Sequence, residues 1–182
     1  MLKYEAPVLS KFFLSQTETD QSLADLGDDD RLFPAYRAVM VSDGTLTQML
    51  SALHLEDIVT RCEENDEGLP DPEQRSWLEI GGEPCIRRRV TLNGASSGRT
   101  YVRALSYLYP PRLPAPFLDE LSRPGSSLGT QILRSRIPSR RELIWVRRGA
   151  DSVYSRLYRI IVQDRPAILI QEDFVDIGAP SQ

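Results

Sequence analysis

Histidine and cysteine are scarce in this chain, with one histidine, His54, and two cysteines, Cys62 and Cys85, among 182 residues. A single imidazole excludes a histidine-rich metal site and leaves residue 54 as the only place for a Ser-His-Asp triad. His54 falls at the polar end of a predicted helix and reads as a surface residue. Two thiols far apart in sequence read as free cysteines of a cytoplasmic protein, not as a disulfide framework. No apolar run approaches the roughly 20 residues that span a bilayer. The opening MLKYEAPVLSKFFLSQ lacks the basic region, apolar core and small-residue cleavage site of a secretory signal. Metal-ligand clusters, phosphate-cradling glycine loops and nucleotide fingerprints are absent as well, so neither a metal nor an organic cofactor is expected.

What remains is ordinary globular material, 41% hydrophobic and 26% charged. The length suits one domain over 1–182, with residues 1–30 as an N-terminal extension, a short helix plus loop, packed on it. Charge is divided unevenly. Residues 1–80 hold 17 acidic and 6 basic side chains, whereas residues 81–182 hold 9 acidic and 16 basic, every one of the latter arginine. Arginine's planar fork matches carboxylate and phosphate bidentately; a solvated arginine surface is the plainer alternative. The net charge of −4 and the lack of lysines interleaved with aromatics argue against nucleic acid. A small anionic ligand, carboxylate or phosphate, is the functional partner this composition allows.

Periodicity supplies the elements. Asp43-Gly44 precedes Thr45, and Gln48 follows three residues later, which predicts a capping box and a helix over about 45–54. A strand over 57–63 and an acidic loop over 63–75 follow. Strands over 85–93 and 100–109 are joined by Gly94-Ala95-Ser96-Ser97-Gly98 as a hairpin. PPRLPAP at 110–116 is a stiff connection, then short helices cover 117–121 and 128–133. Three last strands cover 141–147, 154–163 and 167–175, with Asp164-Arg165-Pro166 between the final two. Short turns between consecutive strands imply an α+β domain with one antiparallel sheet flanked by helices.

Alternation within the strands marks candidate residues. In the last strand Glu172 shares a face with Ile168, Ile170 and Phe174, so its carboxylate is expected to be partly desolvated unless a cation pairs with it. Such a glutamate suits general acid–base work; a structural ion pair is the alternative. Arg88 shares a face with Val90 and Leu92, and an arginine there needs an anion, either Glu172 or a ligand carboxylate. Arg159 stands between Leu157 and Ile161, whereas Arg156 lies on the opposite face with Tyr158 and Ile160. Arg103 shares a face with Tyr101, Leu105 and Tyr107. Ser127-Leu128-Gly129 opens a helix whose first amides can receive an anion, or simply makes a turn.

In order along the chain, DGTLT (43–47), IRRRVTL (86–92), SLG (127–129), RELIWV (141–146) and SRLYRIIVQDRPAILIQEDFV (155–175) resemble the chorismate pyruvate-lyase family, in its divergent bacterial branch, over about residues 31–175. The resemblance implies a monomer in which one antiparallel sheet encloses a cyclic or aromatic carboxylate, chorismate or 4-hydroxybenzoate, under two flaps. It also implies conversion of chorismate to 4-hydroxybenzoate and pyruvate without a cofactor. The family's carboxylate-holding arginine matches Arg88, with Arg87 and Arg89 adjacent, and its glutamate matches Glu172. Leu128 and Gly129 match its Pro-Leu-Gly, with Ser127 in place of the proline, and Leu46 stands where better-known members have methionine. Arg159 is the expected second anion contact.

Overall fold

The computed structural model describes residues 12–15, 34–149 and 151–175. Two three-stranded meanders lie edge to edge. The first is β1 (Ile58–Gly68), β2 (Cys85–Gly94) and β3 (Thr100–Leu108); the second is β4 (Ser139–Arg147), β5 (Tyr154–Val162) and β6 (Arg165–Phe174). They join through antiparallel pairing of β3 with β6, which gives one six-stranded sheet in the order β1-β2-β3-β6-β5-β4. The last strand therefore lies inside the sheet, with neighbours on both sides. The helices are α1 (Pro34–Val41), α2 (Leu46–His54), α3 (Pro72–Leu78), α4 (Ala115–Leu121) and α5 (Leu128–Ser135), with a 3-10 turn at Pro110–Arg112. This is the expected single antiparallel sheet flanked by helices.

The sheet buries apolar residues on both faces. The larger cluster packs Tyr36, Val39, Met40, Leu50 and Phe117 against strand residues such as Ile160, Ile168, Ile170 and Phe174. The smaller packs Leu78 with Trp145, Leu157 and Leu169, under α3. The expected helix and loop of residues 1–30 lie outside the described residues, apart from 12–15. There Phe13 is buried in the larger cluster, and the Leu14 and Ser15 amides donate to the Leu143 and Ile144 carbonyls.

Three local expectations are corrected. The acidic loop at 63–75 is instead the second half of β1 followed by α3. Its carboxylates lie across from arginines of β2: Glu64 reaches Arg87 at 3.0 Å and Arg89 at 3.7 Å, and Asp66 reaches Arg87 at 3.5 Å. Unlike charges from the two halves of the chain thus meet in one hairpin, where cross-strand pairing outweighs a loop-like composition. The capping box lies at Asp71 and Gln74, where Asp71 Oδ1 accepts from the Gln74 amide at 2.8 Å and Gln74 Oε1 from the Asp71 amide at 2.9 Å. Thr45 does precede α2 but makes no side-chain cap. Between β5 and β6 the turn residues are Gln163 and Asp164, both at positive φ (49° and 60°), the signature of a two-residue type I′ turn. Arg165 and Pro166 already belong to β6.

The loop at 94–98 does form the β2–β3 hairpin connection, with Gly98 at φ +67°. Glu56 organises it. Its carboxylate accepts from the Ser96 and Ser97 amides, both at 3.0 Å, from Ser97 Oγ at 2.7 Å and from the Tyr101 hydroxyl at 2.5 Å. Led by the Tyr101 hydroxyl, these donors hold the Glu56 carboxyl down to about 2. A depressed carboxyl stabilises the fold above its ordinary value of 4.5 and loses that contribution as pH falls towards 2. Denaturant midpoints of wild type and Glu56→Gln measured against pH should therefore be well separated above pH 5 and converge between about pH 4.5 and 2. Burial, reinforced by Glu83, pushes the Cys85 thiol up to about 11, whereas Cys62 is exposed. A thiol-reactive disulfide reagent at pH 8 should label Cys62 in the native protein and Cys85 only after denaturation.

Candidate active site

Strand register assembles the site floor. Arg88 lies opposite Ser106, Ser106 opposite Ile170, and Ile170 opposite Tyr158. The next row runs Val90, Ala104, Glu172, Arg156. Both rows present side chains to the face covered by α2 and α5. Thr45 and Leu46 at the start of α2 form the roof together with Ser127, Leu128 and Gly129 at the start of α5. The atom-free space between floor and roof is about 560 Å³, its open mouth included.

Glu172 is 5% exposed and Arg156 2%. Arg156 Nε donates to Glu172 Oε2 at 2.6 Å, and the Tyr158 hydroxyl donates to Oε1 at 2.9 Å. The cation that the carboxylate requires on this face is thus Arg156, not Arg88. Arg156 Nη1 also donates to the carbonyls of Val39 (2.5 Å), Ser42 (3.2 Å) and Met40 (3.3 Å) at the C-terminal end of α1. One guanidinium therefore joins a helix end, where carbonyls lack intrahelical donors, to the site's carboxylate. Burial first, and Glu172's charge second, push the Tyr158 hydroxyl far up, so it stays protonated and donates. Each Glu172 oxygen retains a lone pair for the pocket.

Arg88 is 3% exposed. Its Nη2 donates to the Ser126 carbonyl at 2.6 Å, and its Nε is buried with no partner. Burial lowers its pKa, although a guanidinium stays charged at any working pH. The Ser126 contact ties the strand arginine to the loop that opens α5, where Ser127 Oγ accepts from the Thr130 amide at 3.3 Å. A Cβ on Gly129 would come within 3.1 Å of Thr45 Cγ2, so the two helix starts touch over the pocket and a side chain there would part them. The starts of two helices, the positive ends of their dipoles, thus border the pocket.

Arg88, Glu172, Leu46, Leu128 and Gly129 thus line one pocket. Arg159 does not. It lies on the other sheet face, where its Nε donates to Glu142 at 2.8 Å and its Nη1 donates to Glu79 at 3.0 Å and to the Trp77 carbonyl at 2.9 Å. Of the aliphatic neighbours that single it out, Leu157 belongs to the smaller cluster beneath α3. Because both faces are apolar, alternation separates Arg156 from Arg159 without saying which faces the ligand. Only strand pairing does that, by setting Arg156 opposite Glu172. Tyr158 and Arg141 also line the pocket. For Tyr158 the available signal is its shared face with Arg156.

Removing Arg156 leaves Glu172 and three carbonyls without their donor. Arg156→Ala should cost about 3–5 kcal/mol in chemical denaturation. An apolar pair, Arg156→Leu with Glu172→Leu, should recover a large part of that loss, because it leaves no unpaired buried charge.

This geometry can be set beside known proteins. Residues 40–177 match the model of the chorismate pyruvate-lyase Rv2949c-like family. A chorismate pyruvate-lyase of Mycobacterium tuberculosis H37Rv is 24% identical over 186 residues, covering 92% of this chain and 87% of the relative, and that of Mycobacterium bovis matches equally. Among solved structures, the effector domain of PhnF from Mycobacterium smegmatis superposes with a TM-score of 0.56 at 13% identity, covering 74% of this chain and 90% of that domain. The C-terminal domain of the histidine utilization repressor from Pseudomonas syringae does so with 0.52 at 10%, covering 69% and 96%. These two likenesses concern the fold. The family model spans most of the chain and its pocket-lining residues, and the protein accordingly belongs to the chorismate pyruvate-lyase Rv2949c-like family.

Proposed function

We propose that this protein is a chorismate pyruvate-lyase that releases 4-hydroxybenzoate and pyruvate. Besides family membership, one observation supports it: Arg88 and Glu172 line the same pocket floor on adjacent cross-strand rows, beneath two helix starts. In this reading Arg88 anchors the ring carboxylate with the donors that Ser126 leaves free. Leu46 and Leu128 cover the ring, and the tight Gly129–Thr45 contact keeps water out.

The reaction breaks the ether C–O bond between the ring and the enolpyruvyl group. The neighbouring ring carbon, which bears the hydroxyl, loses its proton. The ring keeps two electrons and becomes aromatic, while the departing fragment takes a proton at its methylene carbon to become pyruvate. Glu172 accepts or relays that proton, with Arg156 and Tyr158 fixing its carboxylate. Aromatisation supplies the driving force, so orientation is the larger part of the protein's contribution. The same reading has a monomer, folded as a single domain, acting in the cytoplasm without metal or organic cofactor.

A second reading has a specific basis. Glu172 is already doubly hydrogen-bonded, and the superposable folds are the effector domain of PhnF and the C-terminal domain of a repressor. A non-catalytic protein that binds the same carboxylates fits these facts. Incubation with chorismate, with pyruvate followed by a coupled dehydrogenase and 4-hydroxybenzoate by chromatography, separates the two. The lyase reading expects stoichiometric products and turnover reduced by orders of magnitude in both Glu172→Gln and Arg88→Ala. Saturable binding of chorismate without pyruvate release supports the binding protein, and wild-type rates in either variant remove that residue's assignment.

A further inference from the structure

Among the described residues, Arg141 is a cation without an anion. It lies on β4 opposite Ile160, on the face that carries Tyr158, and it lines the same pocket as Arg88 and Glu172. Its Nε is buried with no hydrogen-bond partner. Its guanidinium carbon is 6.0 Å from the Tyr158 ring centroid, near the limit of a cation–π contact. Its arginine neighbours are paired: Arg140 with Glu142 and Asp164, Arg156 with Glu172, Arg159 with Glu142 and Glu79. Among the described residues, Arg141 has no carboxylate within ion-pair distance. Asp43 borders an adjoining small pocket of about 300 Å³, mouth included, and leaves Arg141 unpaired. Of the residues that line either pocket, Arg141 alone lines both. A half-buried, unpaired guanidinium on a pocket wall is costly unless something anionic arrives there.

Its place in the sheet indicates what arrives. Arg88 stands on β2 and Arg141 on β4, four strand spacings apart, which is about 19 Å of backbone separation. Two long side chains reaching inward from those strands leave a gap for an elongated ligand with an anion at each end. We infer that Arg141 binds the second carboxylate of a cyclic dicarboxylate, the one on the ether-linked arm, while Arg88 holds the ring carboxylate. Arg141 is then the residue that distinguishes substrate from product, because only the substrate carries both anions. It also holds the arm beside the small pocket. This assignment rests on the reading of the pocket as a chorismate site.

The test uses equilibrium binding to the full chain, independent of turnover. The probes are 3-(carboxymethoxy)benzoate, which carries one carboxylate on the ring and one on an ether arm, and 4-hydroxybenzoate, which has only the ring carboxylate. Arg141→Gln should weaken the diacid roughly ten- to hundredfold, the range for losing a charge-assisted contact. It should leave 4-hydroxybenzoate within about twofold by the same reasoning. Arg141→Lys should restore part of the diacid binding, and Arg88→Gln should weaken both ligands. Unchanged melting temperatures in the Arg141 variants separate loss of contact from loss of fold. Equal weakening of both ligands, no weakening of either, or a wild type that binds neither overturns the inference. A wild type that shows the Arg141-dependent diacid preference yet releases no pyruvate from chorismate sinks the lyase reading and leaves this inference standing. Turnover of chorismate with Arg141-indifferent binding does the reverse.

Discussion

The buried pair of Arg156 and Glu172 is the constraint on which the rest of the site depends. Two charges almost wholly removed from water are tolerable only when every donor and acceptor around them is placed. Arg156 approaches that condition by donating through Nη1 to three carbonyls at the end of α1. Glu172 meets it by accepting from Tyr158 on its other oxygen. The pair therefore fixes three things together: the docking of α1, the orientation of the Tyr158 hydroxyl and the direction in which the carboxylate faces the pocket. It lies where β5 and β6 pair, close to the β3–β6 seam, so the two meanders must both be in register for the site to exist.

Around that centre, arginine has three distinct uses. Arg156 is structural, buried and paired with Glu172. Arg87 and Arg89 are half exposed and meet the carboxylates of β1, contributing little individually. Arg88 and Arg141 face the pocket, each with a buried Nε that has no protein partner. The excess of arginine in the second half of the chain is thus no uniform basic surface. Part of it pairs with the acidic first half, and a small remainder lines the pocket with guanidinium nitrogens that meet no protein acceptor. This division explains how a chain of net charge −4 builds a cationic pocket.

Much of this was legible in advance, for definable reasons. Alternation on β2 and β6 placed Arg88 and Glu172 on apolar faces, because period two is a property of the strand itself. Punctuation by glycine and proline located the β2–β3 hairpin and the α5 start. Composition misled where it overrode pairing, as in the acidic stretch that proved to be half of β1 and the start of α3. It misled again at Arg159, because an aliphatic flank implies burial but not which of two buried faces.

The sequence by itself determined most of the strands, the starts of α2 and α5, the single antiparallel sheet, the family and the apolar strand faces that Arg88 and Glu172 share. These follow from local spacing and from the order of short motifs. Tertiary structure alone decided which cation meets Glu172. That choice depends on strand order and register between residues 16 positions apart, and on the end of a helix more than 110 positions away. It also decided that Arg141 shares a pocket with Arg88. A solitary arginine and a paired one look alike along a chain; only packing shows which has found its anion.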